Sequence, residues 1–302
     1  MVVPGFVPAV ALAPERAVED GYTRQRGTLE SEPGLHVPFW LLIPAGTGPW
    51  PLALTPHGHT HHGADQYAGL PRSPEDARKI ARKRKDLAVQ AVRRGYACIA
   101  PATRGFAPLA PAGPAEFTDD QTCLRQLTYC NLRGRTPLGE RIWDLRLLLD
   151  WALGTLDLDG TVLAAGHSGG GFLAMLLAAV DTRVGLAVNN CAFAPFIDGD
   201  GQVTLCPCNA IPGILEWGGI AEICALIAPR PFLALGGVGD RHDVASMHRL
   251  AEQVRQSYRA TGAVERFAFF EGQNGCRVYR EEIWDFIARQ RAAEGRQCLQ
   301  TS

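Results

Sequence analysis

No stretch of this 302-residue sequence approaches the ~20 consecutive apolar residues that a membrane-spanning helix requires. The apolar beginning is broken by Pro4, Pro8 and Pro14 and has no Lys or Arg before Arg16, so neither a span nor a signal peptide is expected. Excess charge of one sign is also missing. With 30 Lys+Arg against 31 Asp+Glu and a formal net charge of -1, no whole-chain field draws in nucleic acid or an anionic membrane. The expected partner is a small, nearly neutral molecule, with homo-oligomers left open. No repeat or low-complexity linker divides the chain, so residues 1–302 are read as one domain. The nine cysteines contain no CxxC pair, and Cys206-Pro207-Cys208 does not repeat a zinc pattern. No metal or cofactor is therefore expected. Reduced thiols in a cytoplasmic chain are the first reading, and a secreted chain with one or two disulfides is the alternative.

What the sequence does have is alternation. Residues 21–30 and 35–44 read as an antiparallel pair with Gly34 in the turn. Short buried-strand runs follow at 51–57, 96–100, 161–165, 184–189, 232–236 and 266–270. Between them lie helical patterns at 74–94, 138–153, 169–180, 219–227, 244–260 and 278–292. Strands linked by helices form a mostly parallel sheet with helices on both faces, so the class is α/β with its core at about 36–292. Two segments break the rhythm, 101–137 and 190–218. Both leave the carboxyl end of a strand, where open α/β sheets bind ligands, and they are expected to wall or cover a pocket. Phe193, Phe196 and Trp217 are the wall candidates of the second. The basic run from Arg78 to Lys85 shares its helix with Ile80, Leu87, Val89 and Val92, and reads as a solvated face rather than a nucleic-acid site.

The chemistry centres on Gly166-His167-Ser168-Gly169-Gly170, which follows a strand pattern and opens an apolar helix. A serine at a sharp strand-to-helix turn stands above the sheet, and the helix N-terminus favours negative charge there. Ser168 is the candidate nucleophile. Upstream, His57, His59, His61 and His62 invite a metal reading. Only Asp65 stands near them in sequence, so they are read as loop histidines beside a pocket.

With these residues in view, the chain resembles the α/β-hydrolase superfamily, in particular its dienelactone-hydrolase-like and acetyl-xylan-esterase-like branch, over residues 36–290. The resemblance is carried by the Ser168 turn, by Leu54-Thr-Pro-His-Gly58, Arg94-Gly-Tyr-Ala-Cys-Ile-Ala-Pro101 and Leu138-Gly-Glu-Arg-Ile-Trp-Asp144, and by Ala225-Leu-Ile-Ala-Pro-Arg-Pro-Phe232. It implies hydrolysis of a carboxylic ester through an acyl-enzyme on Ser168. It further implies oxyanion amides from His59 and Gly169, and a triad acid at Asp240, with Asp243 as second choice. The base should be a histidine after the last strand. Cys276 stands in its place, and no histidine follows His248. A thiol beside a carboxylate should have a raised pKa and is a poor substitute for imidazole. An impaired serine esterase is thus expected. His242, His248 or the His57-to-His62 group could serve as surrogate bases, and a role for the Cys276 thiol is a further option. The alternative from a different class is a non-catalytic, ligand-binding or scaffold member of the same fold.

Overall fold

The computed structural model describes residues 5–112, 122–199, 201–239 and 242–301. Strands β2 (Tyr22–Glu32) and β3 (Leu35–Pro44) form the expected antiparallel pair, turning at Gly34 with φ 74°. A strand that the sequence reading missed, β1 (Ala9–Glu19), adds to the free edge of β2. Its register shifts between Leu12 and Arg16, around Pro14. An edge strand tolerates a proline at such an irregularity, because one of its two sides has no ladder to complete.

The remaining strands are β4 (Trp50–Leu54), β5 (Ala97–Pro101), β6 (Leu158–His167), β7 (Leu186–Asn190), β8 (Phe232–Gly237) and β9 (Phe267–Gly272). Together the nine make one sheet in the order β1-β2-β3-β5-β4-β6-β7-β8-β9. β3 meets β5 antiparallel, and every pairing from β5 through β4 to β9 is parallel. Strands β5 and β7 are buried along their whole length, as expected where helices cover both faces.

The helices are α1 (Gly63–Tyr67), α2 (Pro74–Lys83), α3 (Leu87–Val92), α4 (Thr122–Leu132), α5 (Pro137–Thr155), α6 (Gly169–Val180), α7 (Ile220–Ala225), α8 (Val244–Ala260) and α9 (Arg280–Thr301). Their starts follow from the sequence. Ser73 and Thr136 accept hydrogen bonds from Asp76 N and Gly139 N, each followed by a proline in the first turn. Leu148, Leu173, Ile223 and Val254 pack α5 to α8 on one face of the sheet. Tyr67, Leu87, Ile283 and Phe286 pack α1, α3 and α9 on the other.

The expected helix 74–94 is two helices that part at Arg84, which takes φ 54°. α2 buries only Ile80 and α3 buries all six of its residues, two demands that one straight rod cannot meet. This also corrects the reading of the basic run. Arg78, Lys79 and Arg82 are exposed, but Lys83 Nζ donates to Cys276 O at 2.5 Å and Arg84 pairs with Glu281. The end of the run therefore anchors the loop that carries Cys276.

Candidate functional site

β6 ends at His167, α6 begins at Gly169, and Ser168 joins them at φ 56° and ψ -131°. A residue with a Cβ rarely holds that backbone. The crowding around it explains the glycines. A Cβ on Gly166 would lie 2.2 Å from Gly170 C, one on Gly170 2.0 Å from Pro56 O, and one on Gly58 2.6 Å from Gly169 N. The loop after β4 thus rests directly on the N-terminus of α6, where the first amides have no partner inside the helix. Ser168 N donates to Asn190 O at 2.7 Å and ties the turn to β7.

Ser168 opens into a cavity of about 190 Å³ that is also lined by His59, Gly169, Phe172, Phe196, His242 and Cys276. Segment 190–218 contributes Ala192, Phe196, Leu205 and Cys206 to its wall. Of the three aromatic candidates only Phe196 faces it. Phe193 turns into the core against Phe232, Phe267 and Phe269, and Trp217 is 86% exposed.

The histidines separate into different environments. His57 is fully buried; its Nδ1–H donates to Gly58 O at 2.9 Å and its Nε2 accepts from Thr103 N at 3.0 Å. Burial pushes its pKa down to about 4, so the ring is a neutral strut between two loops. His61 Nδ1 accepts from Ala107 N. His248 pairs with Glu271 on the surface, away from the cavity lining. His59 and His242 share the cavity with Ser168. Asp240, the expected acid, lies outside the described residues. Asp243 is exposed and caps α8 through Ala245 N and Ser246 N.

Cys276 lines the cavity, with its Sγ 3.6 Å from His167 Nε2. Asn190 fixes the tautomer of that histidine. Its Oδ1 accepts from Tyr279 N at 3.2 Å, so its amide nitrogen must be the group that donates to Arg277 O at 2.8 Å and to His167 Nδ1 at 2.6 Å. His167 therefore presents Nε2–H to the sulfur and has no lone pair there to take a proton. The expected rise in the Cys276 pKa is corrected. A hydrogen bond with Cys191 is the foremost influence and outweighs burial; His167 and Lys83 add to it, and the thiol falls to about 4.

A second group was illegible in the sequence. His59 Nε2 lies 3.3 Å from Cys208 Sγ, and Cys123 Sγ lies 3.8 Å from Cys206 Sγ. All four ligand atoms are within 4.8 Å of one another. The expectation that no cysteine completes a histidine set is thus corrected, because α4 and the 3₁₀ turn at Pro207–Asn209 bring sulfur in from remote positions. His59 keeps surface open at the cavity mouth while its ring packs edge-on to Phe106 at 5.1 Å. Loss of water opposes its charge, but hydrogen bonds with Cys206 and Cys208 lift its pKa to about 9. The Cys208 thiol is pulled down, first by hydrogen bonds from Cys123 and Cys206 and then by His59 and Arg141. His167, Cys191 and Cys276 also bring their ligand-type atoms within 4.8 Å of one another, but His167 turns its N–H, not a lone pair, toward the sulfurs.

Behind the cavity, Arg104 is buried and bonds to Asp144 at 2.6 and 2.7 Å and to Glu32 at 2.7 Å, with Glu140 at 3.3 Å. Arg141 Nε donates to Arg104 O at 2.9 Å. These bonds hold the start of segment 101–137 on α5 and β2.

No family model matches the chain. A curated protein of Bacillus subtilis (strain 168) named "Putative hydrolase YtaP" is 28% identical over 174 residues, which are 52% of this chain and 56% of the relative. The match thus spans about half of each protein. Among solved structures, a "putative acetyl xylan esterase" of Bacteroides fragilis NCTC 9343 superposes with a TM-score of 0.70 at 19% identity, covering 89% of this chain and 70% of the other. Methylesterase BT1017 gives 0.69 at 24% identity, with 94% and 58% covered. A CE15 glucuronoyl esterase from Teredinibacter turnerae T7901 gives 0.61 at 19% identity, with 96% and 80% covered. With the strand order above, these superpositions identify the architecture: the chain has the α/β-hydrolase fold.

Proposed function

We propose that this chain hydrolyses carboxylic esters of small molecules through an acyl-enzyme on Ser168. The observation that carries the reading is the strained backbone of Ser168, at the N-terminus of α6 and at the wall of a cavity. The hydroxyl is presented to a bound carbonyl there. The Gly169 and His59 amides are the proposed donors to the developing oxyanion, in a place where Gly58 lets the two segments meet. The esterases among the structural neighbours support the same reaction class. Asp240 is the proposed acid. Cys276 stands where the base is expected, and a thiol whose pKa is pulled below its ordinary value is a weak base, so turnover is slow. His242 is the cavity histidine proposed to supply what proton transfer remains.

The test is labelling with a fluorophosphonate and stopped-flow hydrolysis of p-nitrophenyl acetate. The expected result is a burst of product followed by slow turnover, both lost in Ser168→Ala. Cys276→His should raise turnover on the order of 10²-fold or more, and His242→Ala should abolish the residual rate. A second reading, a ligand-binding protein without catalysis, draws on the thiol of Cys276 standing where the base is expected. Absence of both burst and labelling would select it.

A further inference from the structure

We propose that His59, Cys123, Cys206 and Cys208 bind one zinc ion. Tetrahedral Zn²⁺ with Zn–S near 2.3 Å and Zn–N near 2.0 Å sets its ligands about 3.8 Å apart for two sulfurs and about 3.5 Å apart for sulfur and nitrogen. The chain places Cys123 and Cys206 at 3.8 Å, His59 Nε2 and Cys208 at 3.3 Å, and all four atoms within 4.8 Å of one another. A disulfide would need the first pair at roughly 2.0 Å, and would leave the Cys208 thiol and the imidazole without a shared partner.

The surroundings fit the charge of such a site. When the metal binds, every proton still held by the three sulfurs or by His59 Nε2 passes to solvent, three Zn–S bonds form, and His59 bonds as the neutral ring through Nε2. Three thiolates and Zn²⁺ sum to one negative charge. The buried Arg141 guanidinium faces it, with Nη1 3.6 Å and Nη2 3.7 Å from Cys208 Sγ. Arg141 is held in that pose by Asn209 Oδ1 at 3.1 Å and Arg104 O at 2.9 Å. Hydrogen bonds to coordinating sulfur, from groups themselves held in place, are how proteins orient and tune metal ligands.

Four protein ligands close the tetrahedron, so the ion is structural and offers no open position to substrate. It joins three remote pieces of chain: the loop after β4, the start of α4, and the 3₁₀ turn in segment 190–218. His59 and Cys206 also line the Ser168 cavity. The metal thus fixes the cavity wall and the loop whose His59 amide adjoins the Ser168 turn. Metal binding is read without substrate, so the inference and the esterase reading fail separately.

The decisive experiment is metal analysis of the full chain, expressed in zinc-supplemented medium and purified without chelator under reducing conditions. One zinc per chain is expected. After zinc is removed, cobalt(II) should give the visible absorption of tetrahedral thiolate-bound cobalt. Cys123→Ser and Cys208→Ser should lose the metal, and Arg141→Lys should weaken zinc binding about 10–100-fold. The wild-type measurements stand even where a variant fails to fold. Substoichiometric zinc with no cobalt spectrum would overturn the inference. So would an iron–sulfur chromophore, a Cys123–Cys206 disulfide in the intact mass, or full zinc retention by the serine variants.

Discussion

Replacing Ser168 by glycine should make the protein more stable than replacing it by alanine. Both variants remove Oγ and any catalysis that depends on it, so their difference isolates the backbone. At φ 56° and ψ -131°, the residue occupies a region that costs a side chain with a Cβ about 1–3 kcal/mol. Glycine removes that strain and forfeits about 0.5–1 kcal/mol through the greater freedom of its unfolded chain. Ser168 is only half-buried, so the lost Cβ contacts subtract little. The expected net gain is about 0.5–2 kcal/mol. For 302 residues the entropy of unfolding is about 0.6 kcal/mol/K, which converts the gain into a rise of roughly 1–3 °C. Calorimetry and urea titration of the two variants at pH 7 measure it. A glycine variant no more stable than the alanine variant would show that the turn stores no strain, and would remove the energetic argument for a strained serine.

Arg104→Met should destabilise by about 3–5 kcal/mol, since it leaves the buried Asp144 carboxylate without its cation and leaves Glu140 with Arg135 alone; a loss below 1 kcal/mol in urea unfolding would contradict this. His57 has its folded pKa depressed to about 4 from 6.5, so its contribution is fully present above pH 6.5 and is lost as pH falls toward 4, on the order of 3 kcal/mol. Stability measured between pH 7 and 4 should therefore fall less steeply in His57→Gln, and equal slopes would refute the buried neutral ring. Phe193→Ala, in the core, should cost about 3–5 kcal/mol and leave the acyl-chain preference of any ester hydrolysis unchanged. Phe196→Ala, on the cavity wall, should shift that preference toward longer acyl groups; the reverse pattern would invert the assignment of the two aromatics.

The order of strands and helices was readable along the chain because it rests on local periodicity. Helices α6 and α8 span the residues that their apolar patterns mark. The Ser168 turn was equally legible, since glycines at 166, 169 and 170 are chain neighbours of the residue they serve. Where a demand came from elsewhere in the molecule, the reading failed. Strand β1 is largely exposed and carries little burial pattern of its own; it exists because β2 offers an unpaired edge. The break at Arg84 arises because α2 and α3 bury different amounts of surface.

The same division runs through the site. Sequence order places Cys276 after the last strand, but its acidity depends on Cys191, His167 and Lys83, which only folding brings to the sulfur. Read singly, Cys123, Cys206 and Cys208 are small apolar residues in irregular segments, without a spacing that marks ligands. The chain folds them around His59, and a coordination sphere requires proximity in space rather than adjacency in sequence. Local backbone chemistry thus determined the serine and its turn, whereas the charge state of the surrounding thiols and the four-residue cluster were decided by contacts that only the tertiary structure makes.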